Sequence, residues 1–166
     1  MKRYALTLVF AVLSASAAFA QTKSPFEGVW KAAEVVPASS SAAEKPKPIT
    51  SPQPGLLIFT KGYYSVVAVT GENPRAAVEP KDRQNLTDAE KLAFYEQWRA
   101  FAANSGTYEI KGSTLTRRPS VAKNVSVMDG QQTNVTEFKM EGPNTLWLIP
   151  SADRPNDPRV KWTRVE

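Results

Sequence analysis

Pro54-Gly55-Leu56-Leu57-Ile58-Phe59-Thr60-Lys61-Gly62-Tyr63-Tyr64-Ser65-Val66-Val67-Ala68-Val69-Thr70 holds two runs of β-branched, aliphatic and aromatic residues on either side of one Lys-Gly pair. Glycine reaches the positive backbone angles of a tight turn without steric cost, so Lys61-Gly62 predicts a hairpin. The pattern recurs downstream. Tyr108-Glu109-Ile110 and Ser113-Thr114-Leu115-Thr116 flank Lys111-Gly112, and Asp129-Gly130 separates Val125-Ser126-Val127 from Thr133-Asn134-Val135-Thr136-Glu137-Phe138. Glu141-Gly142-Pro143-Asn144 then separates Phe138-Lys139-Met140 from Leu146-Trp147-Leu148-Ile149. Upstream, the segment from Phe26 to Val36 reads as a first strand, and Val160-Lys161-Trp162-Thr163-Arg164-Val165 reads as the last. Pro119 either splits or only bends residues 113–128, which leaves eight or nine strands in an antiparallel meander. About eight strands close a small up-and-down barrel whose interior holds side chains or one small ligand. The expectation is an all-β, closed antiparallel barrel.

Two segments depart from this pattern. Residues 37–54 contain Pro37, Pro46, Pro48, Pro52 and Pro54 among Ser, Ala and Lys, which neither a helix nor a central strand tolerates, so they form a long surface loop. Thr87-Asp88-Ala89-Glu90 is a capping box, in which hydroxyl and carboxylate satisfy free amides at a helix start. The helix it opens runs to about Asn104, with Gly106 beyond its end. Phe94, Trp98 and Phe101, with Leu92 and Tyr95 beside them, give it an aromatic face to pack on the barrel, as a fixed closure or as a lid.

The chain opens with Lys2 and Arg3, an apolar run from Ala5 to Leu13, and small residues ending in Ala18-Phe19-Ala20. These are the three parts of a cleavable signal peptide, so residues 1–20 are expected to direct export to a periplasm or the exterior, leaving residues 21–166 as one domain. The apolar run is shorter than the ~18 residues a membrane-spanning helix needs. Loss of Lys2 and Arg3 leaves 19 basic against 16 acidic residues, too balanced and too evenly spread to favour nucleic acid. The chain has no cysteine, which excludes disulfides and thiolate chemistry, and no histidine, which excludes His-dependent triads and imidazole metal sites. No cofactor and no metal are expected.

Gly28-Val29-Trp30, the Pro54 to Ser65 stretch, and Ser105-Gly106-Thr107-Tyr108-Glu109-Ile110-Lys111-Gly112-Ser113, taken together and in order, resemble the lipocalin-like domain family, relatives of the lipocalins among the calycins. The resemblance implies a closed antiparallel barrel with Trp30 at its base and Arg164 of the last strand lying across it. Many members carry histidines on the strand after the Gly-Thr-Tyr hairpin, whereas this chain has Arg117 and Arg118, so no histidine-dependent property carries over.

Three functional readings follow. In the first, the barrel binds a small hydrophobic molecule, and strand alternation offers Phe59, Tyr64, Val66, Tyr108, Phe138 and Trp147 as lining residues. A register error of one residue inverts every such assignment. In the second, the barrel is a cyclase or isomerase, with Tyr64, Tyr108, Glu109 and Glu137 as proton-transfer groups, although nothing in the sequence brings two of them together. The third is a protein-interaction domain using the Pro-rich loop or the Arg117-Arg118 pair; adjacent strand arginines more often serve solvation and edge protection.

Overall fold

Eight antiparallel strands follow one another around a closed barrel, and the last returns to pair with the first. They are β1 (Gly28–Val36), β2 (Gly55–Phe59), β3 (Tyr63–Val69), β4 (Phe101–Lys111), β5 (Thr114–Ala122), β6 (Asn134–Met140), β7 (Thr145–Pro150) and β8 (Arg159–Arg164), with one helix, α1 (Asp88–Arg99), between β3 and β4. This computed structural model describes residues 24–41, 43–71, 73–128 and 134–166. The expected signal peptide and the Asp129-Gly130 turn lie outside the described residues.

The hairpin register explains the inner face. Leu57 pairs with Val66 and Phe59 with Tyr64, so one side of β2 and β3 presents Leu57, Phe59, Tyr64 and Val66 to the core. Gly62 and Gly112 take φ values of 81° and 58° in their turns, which their sequence positions require. Pro119 does not split its strand. It sits buried within β5, where the β4 register shifts between Ser105 and Gly106, and a Cβ at Gly106 would collide with the Arg118 carbonyl. A bulge opposite a residue without an N–H lets the ladder continue past the proline.

The hairpins β2–β3, β4–β5 and β6–β7 turn at one end, the base. There Phe26 enters the core and stacks edge-on to Phe138 at 4.5 Å and Phe59 at 5.4 Å. Trp30 is fully buried and its indole N–H donates to the Phe26 carbonyl at 2.9 Å. Arg164 lies over the Trp30 ring at 4.1 Å. Its guanidinium donates to the carbonyls of Pro25, Glu27 at 2.6 Å and Pro143 at 2.8 Å. One cation thus ties the chain start, the β6–β7 turn and the last strand around one indole, in the arrangement the resemblance implies.

Two elements differ from the sequence expectation. Val125-Ser126-Val127 forms a short 3-10 turn capped by the Asn124 side chain rather than a strand. The helix has its capping box but ends at Arg99, and Phe101 begins β4 by pairing with Val69. Strand pairing against β3 outweighs the local helical pattern there. Lys123 instead closes the helix end, donating to the carbonyls of Trp98, Arg99 and Phe101. No residue of α1 is buried, and Leu92, Tyr95 and Trp98 are exposed.

The base arrangement predicts that Arg164→Met lowers the unfolding free energy by about 2–4 kcal/mol, because three carbonyls lose a charged donor and Trp30 loses its covering cation. Urea unfolding followed by tryptophan fluorescence measures this; a change below about 1 kcal/mol would mean the base holds without it.

Candidate functional site at the open end of the barrel

The connections from β1 to β2, β3 to β4, β5 to β6 and β7 to β8 leave from the end opposite the base. Here the inner face is lined by small residues: Gly55 pairs with Ala68, and a Cβ on Gly55 would stand 3.1 Å from that of Ala68 and 3.3 Å from that of Ala32. Gly55 is buried and lets Ala32, Ala68 and the Trp162 ring close around it, and the open space lies beyond Ala32 and Ala68 toward the loops. This cavity of about 360 Å³ is walled by Ala32, Val35, Ala68, Val160 and Trp162 from the strands and by Pro37, Ile49, Pro52 and Pro158 from the loops. Ile49 is held in place by paired backbone hydrogen bonds with Val35 at 2.8 and 3.0 Å, so part of the Pro-rich loop forms a fixed wall. Trp162 is 4% exposed, and its indole N–H is buried without a hydrogen-bond partner. The cavity is largely apolar, with Gln53 and Thr70 on its loop side and the unpartnered Trp162 donor on a residue of its wall.

Deeper in the barrel lies a second departure from an inert core. Leu115, Arg117 and Pro119 share the inward face of β5, and Arg117 is 8% exposed. Its Nε is buried with no partner, and none of the ion pairs among the described residues includes it. Its guanidinium lies 5.7 Å from the centre of the Tyr64 ring. Tyr64 donates its phenol proton to Asn104 Oδ1 at 2.7 Å. On β6 the Thr136 hydroxyl, opposite Leu115 and so offset by two residues from Arg117 on the same face, is also buried and unpartnered. Burial pulls the Arg117 guanidinium below its ordinary pKa, with the Tyr64 side chain opposing. Burial also raises the Tyr64 phenol, with the Arg117 charge drawing it back. The Tyr108 phenol is raised as well, chiefly by burial.

The six residues offered by the sequence fall into three places. Phe59, Tyr108 and Phe138 pack around the base: Phe59 and Tyr108 stand edge-on at 4.9 Å, and Tyr108 donates to the Thr60 carbonyl at 3.1 Å. Tyr64, the cross-strand partner of Phe59, and Val66 point into the core of the barrel. None of these five is among the walls of the open-end cavity. Trp147 is a correction. Leu146 and Leu148 are the inward residues of β7, so Trp147 faces outward, donating to Glu141 at 3.2 Å with Lys161 5.5 Å over its ring. Glu109 lies on the outer face between Lys111 and Arg118, and Glu137 is exposed, so neither joins a tyrosine in a proton-transfer pair.

Sequence reading missed the two most informative groups. Arg117 and Arg118 look alike in sequence, but only Arg118 is solvated and paired, with Glu109 at 3.2 Å; Arg117 is inside. Alternation with Leu115 carried the signal. The Ala32, Gly55 and Ala68 cluster lay on three separate strands and was visible only through register. Helix α1 does not contribute to the open-end cavity. It borders a separate cleft of about 640 Å³ with Gly71 and residues 73–79, where Gln97 donates to the Ala76 carbonyl at 2.8 Å.

Two expectations follow. A buried arginine with an unmet donor destabilises the empty barrel, so Arg117→Met raises unfolding free energy by about 1–3 kcal/mol, seen as a higher midpoint in urea. Raised phenol pKa values mean that the contribution of Tyr64 and Tyr108 is complete below the unfolded value of about 10 and is lost as pH rises through the higher folded values. Wild type should therefore lose more stability than Tyr64→Phe between roughly pH 9 and pH 11.5, and equal losses would refute the role of Tyr64.

No protein-family profile matches the chain, and no curated protein matches it. Solved structures of similar shape include a lipocalin-like protein from Bacteroides uniformis, 12% identical, covering 84% of this chain and 98% of that one with a TM-score of 0.46. An uncharacterized protein from Bacteroides eggerthii is 8% identical over 84% of this chain and 98% of that one, with a TM-score of 0.43. A redesigned β-barrel is 13% identical over 86% of this chain and 94% of its own, with a TM-score of 0.42.

Proposed function

We propose that this chain is a carrier or sensor that binds one small, largely apolar molecule through the open end of its barrel. The observation that carries this reading is the largely apolar cavity walled by Ala32, Val35, Ile49, Ala68, Val160 and Trp162. Ala32 and Ala68 present only methyl groups to this space, whereas Leu57, Phe59 and Trp30 fill the core nearer the base. A volume of about 360 Å³ falls within the roughly 300–1,000 Å³ range of small-molecule sites, and a wall of Val, Ala, Ile and Pro suits a hydrocarbon surface. Trp162 adds one donor that a polar atom of the ligand would satisfy. The N-terminal pattern supports export, which would place such a carrier in a periplasm or outside the cell. Among the described residues no helix is long and apolar enough to cross a membrane.

Titration with the neutral fluorophore N-phenyl-naphthylamine tests the reading. One molecule should bind per chain, with energy transfer from tryptophan. Ala68→Phe, which puts a ring into the space, should weaken binding by about tenfold or more while the barrel remains folded. If the fluorophore does not bind, or binds the Ala68→Phe protein equally well, the open-end cavity is not a ligand site.

A further inference from the structure

Resting on the binding function just proposed, we infer that the ligand is an amphiphile with a carboxylate or similar anionic head, and that Arg117 is the residue that receives it. A guanidinium inside a barrel needs a counter-charge or a full set of acceptors, since stripping it of water costs several kcal/mol that only good partners offset. Arg164, at the base, has its acceptors: three backbone carbonyls and an aromatic face. Arg117 has an aromatic face at 5.7 Å, a buried Nε without a partner, and no carboxylate in an ion pair with it among the described residues. The Thr136 hydroxyl beside it on β6 lacks a partner too. A carboxylate is complementary to both groups. Its two oxygens match the planar fork of the guanidinium, and either can accept a proton from the threonine hydroxyl. A neutral apolar ligand would leave both unmet.

Strand register relates this group to the cavity. Tyr64, whose ring meets Arg117, and Ala68, which walls the cavity, lie on the same inward face of β3, four residues apart. At about 3.3 Å per residue they are separated by roughly 13 Å, with Val66 between them. A medium-length alkyl chain has that length, so one molecule with its head on Arg117 and its tail in the open end would displace the buried Val66 side chain that stands between them. The Tyr64 phenol, held by Asn104, fixes the ring against which the guanidinium rests.

The test compares dodecanoate with dodecanol, which share a tail and differ in the head, by isothermal titration calorimetry on the full chain at neutral pH. Wild type should bind dodecanoate roughly 10- to 100-fold more tightly than dodecanol, the range of a charge-assisted hydrogen bond. That ratio should fall to about one in Arg117→Met and decrease severalfold in Thr136→Val. Arg117→Lys keeps the charge without the fork and should retain only part of the preference, which provides a reading if the Met variant does not fold. Equal binding of the two compounds by wild type overturns the anion site and leaves the apolar cavity standing. A preference that survives in Arg117→Met also overturns it, because the anion then sits elsewhere. Binding of neither compound, together with no binding of N-phenyl-naphthylamine, overturns the binding function itself.

Discussion

The packing of Arg164 against Trp30 at the base is the interaction on which the rest of the barrel depends. An eight-stranded sheet closes only when its first and last strands meet in register, and here Trp30 of β1 stands opposite Arg164 of β8. The guanidinium holds carbonyls from the residues before β1 and from the β6–β7 turn, and Phe26 is thereby drawn in as the hub of an aromatic cluster with Phe59 and Phe138. With no disulfide available, this convergence supplies at the base the cross-linking that covalent bonds give to many small exported domains. It also concentrates packing at one end. The other end is left to loops, prolines and small side chains, where space for a ligand costs the fold least.

The extent to which this was legible in the sequence follows from the range of each signal. Hairpins are local: a glycine between two β-rich runs specifies its own turn, so β2 with β3 and β6 with β7 could be placed from short stretches. The capping box at Thr87 is local in the same sense and marks a real helix start. The helix end is not. Residues 101–104 continue a helical spacing, yet they enter β4, because Val69, Ala68, Val67 and Val66 of a strand more than thirty positions earlier offer a ladder. The helix therefore loses Phe101 from its aromatic face, and Trp98 meets that ring only across the helix end, at 5.8 Å.

Inward and outward assignments were the fragile part of the reading. Alternation within β2 and β3 placed Phe59, Tyr64 and Val66 inside, but Trp147 fell on the wrong side because the inward set of β7 is Leu146 and Leu148. A large aromatic in a strand invites assignment to the core, yet here the outer surface accommodates one, with Glu141 on its N–H and Lys161 over its ring. The cavity itself escaped notice for a different reason. Its strand walls include the small residues Ala32 and Ala68 and its other walls are loop residues, and small residues on separate strands carry no pattern until the register brings them together.

Two arginines of the same barrel show how composition and site fit together. A chain without histidine or cysteine has few ways to place a polar group inside an apolar barrel, and arginine is the cation least easily discharged by burial. At the base, Arg164 has backbone partners, and its role is complete within the chain. At mid-barrel, Arg117 and Thr136 keep unmet hydrogen-bonding capacity in a fold that could have used leucine and valine there. A buried donor without an acceptor lowers the stability of the empty protein, and an apolar pair would remove that cost. The loss becomes a gain only when an anion arrives, since the desolvation of Arg117 is then already complete before binding and the full attraction is available to the ligand. The unmet groups of the empty barrel and selectivity for a charged head thus have one physical origin.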